Sequence, residues 1–131
     1  MHQRWFDATA AKDLDAMTAD IADDVVSYEH GTPLQYVGLH AVREVCAAGL
    51  DAPGAVAWTM PDLQVLVRDD LAVAWGLDRI TVEEGDATTE SWSRGTRVFR
   101  RAEDGQWRMV HQHLSYPRDR RTGEARTDLR P

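Results

Sequence analysis

The sequence predicts an α+β fold: a cone-shaped, curved antiparallel sheet with three N-terminal helices packed on its concave face. Three observations carry this reading. Up to Leu50 the apolar residues recur mainly at helical spacing. From Ala55 the period changes to two and stays there as far as Tyr116. The alternating stretches are joined by turn sequences, Arg68-Asp69-Asp70, Glu84-Gly85-Asp86 and Glu103-Asp104-Gly105, which read as hairpins.

The first helix is expected over His2 to Lys12, where Trp5, Phe6 and Thr9 fall near one face and Ala8, Ala10 and Ala11 favour helix. Asp13 is placed to cap a second helix, Leu14 to Ala22, whose apolar stripe is Leu14, Met17 and Ile21. Val25 to Glu29 reads as a strand, Gly31-Thr32-Pro33 as a turn, and Gln35 to Val37 as a second extended piece. Gly38 opens a third helix, Leu39 to Leu50, with Val42, Val45, Cys46 and Leu50 on one face. Val56 to Val67 is a strand that Met60-Pro61-Asp62 bends. Leu71 to Glu83, Thr88 to Arg101 and Trp107 to Tyr116 complete the sheet. The domain is expected to span residues 1–117. Residues 118–131 form a polar tail with almost nothing apolar, expected to be mobile unless it packs on a partner.

Composition narrows the function classes. A chain of 131 residues with 43% hydrophobic residues builds one domain with a real core. The net charge of −7 disfavours nucleic acid and anionic membrane as partners. Cys46 is the single cysteine, so neither an internal disulfide nor a cysteine-rich metal site is available. The longest apolar run, Leu71 to Leu77, is far short of a membrane span, and the N-terminus has no apolar signal region. These features lead us to expect a cytoplasmic protein.

One carboxylate stands out. Glu29 falls where the strand ends and the chain turns, a position from which a rigid scaffold can aim a side chain at a ligand. It reads either as a general acid or base in an apolar cup, or as a strand-end carboxylate that is paired with an arginine or simply solvated. His30, beside it in the turn, is a possible acid/base companion or a solvated turn residue. His111 and His113 stand two apart and share a strand face, but no third ligand joins them, and no metal site is expected.

Two segments resemble the nuclear transport factor 2-like superfamily. Asp13-Leu14-Asp15-Ala16 through Asp23-Asp24-Val25 to Gly38-Leu39-His40-Ala41-Val42-Arg43-Glu44 is similar to the ketosteroid isomerase pattern. Gly95-Thr96-Arg97-Val98-Phe99-Arg100-Arg101, Asp104-Gly105-Gln106-Trp107 and Val110-His111-Gln112-His113-Leu114-Ser115 resemble the calcium/calmodulin-dependent kinase II association domain and SnoaL-like polyketide cyclases. The resemblance implies a cystatin-like fold around a ligand-binding cavity. It places Glu29 at the isomerase's catalytic aspartate, Trp5 at its oxyanion-hole tyrosine and Gly95 at its protonated aspartic acid, so both oxyanion donors are replaced. It also implies a strand phase that turns Trp75, Leu77, Arg79 and Thr81 inward, with Arg97 and Phe99 on the next strand. Val110, Gln112 and Leu114 face the cup on the last strand, and the two histidines face out. Trp5 and Trp75 would then wall the cavity and Tyr36 would stand at its mouth.

Two functions follow as expectations. In the first, Glu29 is the catalytic residue of a small enzyme with no metal or organic cofactor. It moves a proton on an apolar, polyketide- or steroid-like substrate, as an isomerase, cyclase, dehydratase or hydrolase does, with Trp5, Tyr36, Trp75, Arg79, Arg97 and Gln112 binding the substrate. In the second, the domain is non-catalytic: Arg97 and Arg79 bind a small carboxylate, and the sheet drives oligomerisation. Large side chains on the outer face, such as Trp92 and Val98, lead us to expect a homodimer through it under either reading.

Overall fold

The computed structural model describes residues 1–131. Helix α1 (His2–Ala10) and the short α2 (Leu14–Thr18) precede strand β1 (Ile21–Tyr28) and a two-residue β2 (Tyr36–Val37). Helix α3 (Leu39–Leu50) follows, then β3 (Val56–Thr59), β4 (Gln64–Arg68), β5 (Leu71–Glu84), β6 (Ala87–Arg101) and β7 (Trp107–Ser115). The sheet runs β2-β1-β7-β6-β5-β3, and β4 also pairs with β5. All neighbours are antiparallel except β1 and β7, which run parallel. The single strand expected from Val56 to Val67 is therefore two, β3 and β4, each laid along a different half of β5.

Local signals set the helices. Asp13 caps α2, its side chain accepting from the Ala16 N–H at 3.0 Å. The second helix stops at Thr18 because Ile21 and Ala22 are already buried in β1. Gly38 enters α3 with φ +86°, a conformation open to glycine, and donates its N–H to Val25 at 2.7 Å. The core cluster joins Ile21 and Val25 of β1, Val42 of α3, Ala72 and Ala74 of β5, Phe99 and Met109. Val25, Val42 and Leu114 are at most 2% exposed. Full burial of an aliphatic side chain of that size contributes about 1.5–3 kcal/mol.

The concave face of β5 carries Ala72, Ala74, Gly76, Asp78, Ile80 and Val82, the opposite phase to the one expected. Ala72, Ala74 and Asp78 are buried, while Trp75 and Arg79 are exposed. The inner face of a curved sheet under helices has little room. Met60 and Asp62, at the β3–β4 bend, lie so close over Gly76 that a β-carbon there would sit 2.8 Å from Asp62 Oδ1. Small residues therefore go inward and the tryptophan outward. On β7 the pairing shifts between Val98 and Phe99, which face His111 and Met109. Val110 is the extra residue, and Met109 takes the inward place expected for it.

The tail turns back on itself: Arg118 pairs with Ala125 in an isolated bridge, and Arg130 reaches Glu90 of β6 at 3.1 Å. No helix is long and apolar enough to cross a membrane.

Candidate functional site

The parallel pairing of β1 with β7 builds the site. It sets Ser27 opposite Gln112, and the β6–β7 register sets Arg97 opposite Gln112. All three side chains are inward and at most 6% exposed. Glu29 follows directly after β1, where strand pairing has ended. Its Oε1 accepts from Gln112 Nε2 at 2.9 Å and from the Ser27 hydroxyl. Gln112 Nε2 also donates to Ser27 Oγ at 3.2 Å, while Arg97 Nε donates to Gln112 Oε1 at 3.0 Å.

The direction of these bonds is fixed by chemistry. A guanidinium can only donate, so the amide oxygen of Gln112 must face Arg97 and its NH2 must face Glu29. Both donors converge on Oε1. Oε2 of Glu29 receives no hydrogen bond from the protein. No arginine touches the Glu29 carboxylate.

Arg97 is held by Asp78. Its Nη2 lies 3.1 and 3.3 Å from the two carboxylate oxygens, and Trp58 Nε1 donates to Asp78 Oδ1 at 2.7 Å. The Trp5 ring lies under the guanidinium, 5.6 Å from centroid to Cζ. Asp78 is completely buried and Arg97 nearly so. Burial pushes the Asp78 carboxyl up, against the opposing pull of Arg97 and the Trp58 hydrogen bond. Gly95 makes room for this pair: a β-carbon there would lie 2.0 Å from Asp78 Oδ2. The space at position 95, where the resemblance aligns an acid, is thus filled by a carboxylate from the neighbouring strand.

Glu29 lines two compartments. The inner one, about 180 Å³, lies between the helices and the sheet. Its wall is mostly apolar, with Trp5, Val45, Leu50, Trp58 and Ile80 beside Glu29 and Gln112. Trp5 and Trp58 meet edge to face at 4.8 Å. The Trp5 indole N–H makes no hydrogen bond within the protein, whereas that of Trp58 is taken by Asp78. The outer basin, about 780 Å³, is open and lined by Tyr28, Glu29, His30, Thr32, Tyr116 and others. Glu29 is the only carboxylate in either lining, and neither contains lysine or arginine.

His30 stacks on Tyr116 at 4.5 Å. Its buried Nε2 has no partner, and burial, then Arg97, pulls its pKa down to about 4. The Cys46 thiol, also in the inner wall, is pushed up to about 12, first by burial and then by Glu29, so it is no nucleophile.

Of the expected site residues, the structure brings together Glu29, Trp5, Arg97 and Gln112. Three others lie elsewhere. Arg79 points to the convex face, where it binds Glu90. Trp75 is exposed on the same face, because the phase of β5 is shifted by one. Tyr36 packs its ring on the core, and its hydroxyl donates to Thr32 O at 3.2 Å rather than reaching either compartment. Arg97, read as a carboxylate binder, already has its carboxylate in Asp78. Asp78, Ser27 and Trp58 escaped the sequence reading. The available signal was an aspartate in phase with Ala72, Ala74 and Gly76, across from a glycine-bearing strand. His111 and His113 flank the Tyr28 ring on the outer face, and His111 Nδ1 lies 2.7 Å from Val26 O.

Comparison with known proteins places this geometry. A solved nuclear transport factor 2-like protein of unknown function from Pseudomonas putida is 31% identical over 99% of this chain and 91% of its own, with a TM-score of 0.90. A protein from Streptomyces avermitilis, named provisionally as a dehydratase of the same family, is 19% identical over 87% of this chain and 89% of its own, with a TM-score of 0.74. A provisionally named ketosteroid isomerase from Parabacteroides distasonis is 23% identical over 85% and 80%, with a TM-score of 0.65. The last two likenesses speak for the fold alone. No curated protein matches the chain. The family model of the SnoaL-like domain matches residues 1–119. A curled sheet closed by three helices over a cavity, matched over that length, makes this chain a member of the SnoaL-like domain family.

Proposed function

We propose that the protein is a cofactor-independent enzyme in which Glu29 moves a proton on a small, mostly apolar substrate. One observation carries this reading: the Glu29 carboxylate is held on one oxygen by neutral donors, leaving Oε2 free beside a mostly apolar chamber. A base needs that combination, because an arginine on the carboxylate would hold it ionised and quiet. Gln112 and Ser27 orient the carboxylate, and Arg97, neutralised by Asp78, fixes the orientation of Gln112.

In the elementary step, Oε2 takes a proton from a carbon next to a carbonyl. The C–H electron pair moves onto the carbonyl oxygen, giving an enolate. Return of the proton to another carbon completes an isomerisation, and loss of a β-hydroxyl as water completes a dehydration. We assign the unpaired indole N–H of Trp5, a residue of the chamber lining, to the developing oxyanion. Carboxylate binding is less well supported, because Asp78 already neutralises Arg97 and only the buried Nη1 of its guanidinium is left without a partner. The same reading has two copies meeting through the convex face, where Trp75 and Tyr28 remain exposed.

The test is deuterium exchange at the α-carbon of a panel of cyclic ketones in D2O, followed by mass spectrometry. Glu29→Gln, which keeps the hydrogen-bonding shape, should lower the catalysed rate by about 10²–10⁴. Exchange by this variant at the wild-type rate would remove Glu29 from the chemistry.

A further inference from the structure

The two compartments differ in size and in character, and the Glu29 carboxylate belongs to both walls. The inner chamber, about 180 Å³, is walled by Trp5, Trp58, Val45, Leu50, Val56 and Ile80. An apolar cavity of about 150 Å³ takes one benzene ring. The chamber therefore fits one six-membered ring with a small substituent, and it is too small for a fused four-ring skeleton. The outer basin is several times larger and open, and it offers hydroxyl, amide and imidazole groups from Thr32, Tyr116, Gln35 and His30. Neither wall contains a lysine or arginine, and Glu29 would repel an anion from either side. The site selects against charge of the carboxylate or phosphate kind.

We infer that the substrate is a neutral, single-ring ketone whose apolar ring enters the inner chamber and whose polar substituent stays in the outer basin. The carbon joining the two lies at Glu29 and loses its proton to Oε2. The C–H electron pair passes to the ring carbonyl oxygen, and reprotonation restores the ketone. This assignment rests on the reading of Glu29 as the base, and it adds what the base acts on.

The chamber can be filled without disturbing the fold. Gly49 lies on α3 at the exposed rim of the chamber lining, where a β-carbon meets nothing within 4 Å, so a larger side chain there narrows the rim. Gly49→Leu also improves helix propensity, and Val45→Phe fills the interior from one turn earlier. The probe is 2-(2-methoxyethyl)cyclohexanone, a neutral carbon acid with a ring head and a polar arm. Binding is read on Glu29→Gln protein by quenching of tryptophan fluorescence, since Trp5 and Trp58 wall the chamber, and by saturation-transfer NMR. Exchange at C2 is read separately on the wild type.

The expected result is saturable binding that weakens at least tenfold in Gly49→Leu and in Val45→Phe, with androst-4-ene-3,17-dione showing no binding that these variants abolish. Binding indifferent to both fillings, or a four-ring steroid bound as tightly and equally sensitive to them, would overturn the assignment. The two readings separate cleanly. Chamber-dependent binding without C2 exchange by the wild type keeps the single-ring ketone as a ligand of the chamber and overturns its deprotonation by Glu29.

Discussion

Replacing Asp78 by Asn tests the buried network at its root. The side chain keeps its size and can still accept from Trp58, but its charge is gone. Arg97 is then a buried cation, 3% exposed, with no countercharge: only neutral amide oxygens, at position 78 and on Gln112 at 3.0 Å, and the Trp5 ring at 5.6 Å face it. Breaking one side of a buried ion pair costs about 3–5 kcal/mol, chiefly because the remaining charge is left dry. For a domain of this size that lowers Tm by roughly 10–20 °C. The paired variant Asp78→Leu with Arg97→Met removes both charges. Such replacements are often neutral or stabilising, so most of the lost stability should return. A residual loss of about 1–3 kcal/mol is expected from the unpartnered Trp58 N–H. Stability is measured by urea denaturation at fixed protein concentration, with circular dichroism as the readout. Activity should move differently: the double variant regains stability but frees the Gln112 amide to turn, so C–H exchange at Glu29 stays low. If Asp78→Asn costs less than about 1 kcal/mol, or the double variant is no more stable than the single one, the account of a desolvated pair fixing Gln112 is wrong.

Gly95→Ala should destabilise by several kcal/mol and weaken the same network, because its methyl group meets Asp78 Oδ2 at 2.0 Å; thermal melting of the variant tests this. Trp58→Phe keeps the ring but removes the 2.7 Å bond to Asp78, and should cost about 1.5–3 kcal/mol in urea denaturation. Acid should also destabilise the fold. Burial, with Arg97 nearby, holds both His2 and His30 down to about 4. The unfolded chain protonates these rings near 6.5 while the folded one does not, so their contribution is complete above that pH and is lost as pH falls towards 4. Both rings are only partly buried, which limits the effect to on the order of 1–2 kcal/mol each. Melting at pH 7 and pH 4.5 should show the drop, and His30→Asn should reduce it; an equal drop in that variant would mean that His30 is not held neutral.

The sequence by itself determined the fold class, the succession of helices and then strands, and α3 to the residue, because hydrophobic period, the Asp13 cap and the Gly-containing turns are local signals; it did not separate β3 from β4. It also singled out Glu29, since a strand end is a local feature, while the inward placement of Arg97, Gln112 and Trp5 came from the family resemblance and not from any local signal. The tertiary structure alone decided what these residues do. Nothing local says that β1 runs parallel to β7, yet that pairing is what sets Ser27 and Gln112 side by side under Glu29. The phase of β5 was lost for the same reason. Alternation fixes which residues share a face but not which face is concave, and a shift of one residue exchanges Trp75 and Arg79 for Ala74 and Asp78. A buried aspartate reads as improbable until its partner is known, and the partner of Asp78 stands on the next strand, beside a glycine whose missing side chain makes the space. Charge burial is a property of pairs, so a single chain position cannot announce it. The division of the site into a chamber and a basin is likewise a matter of volumes enclosed by elements far apart in the chain, and only their assembly defines it.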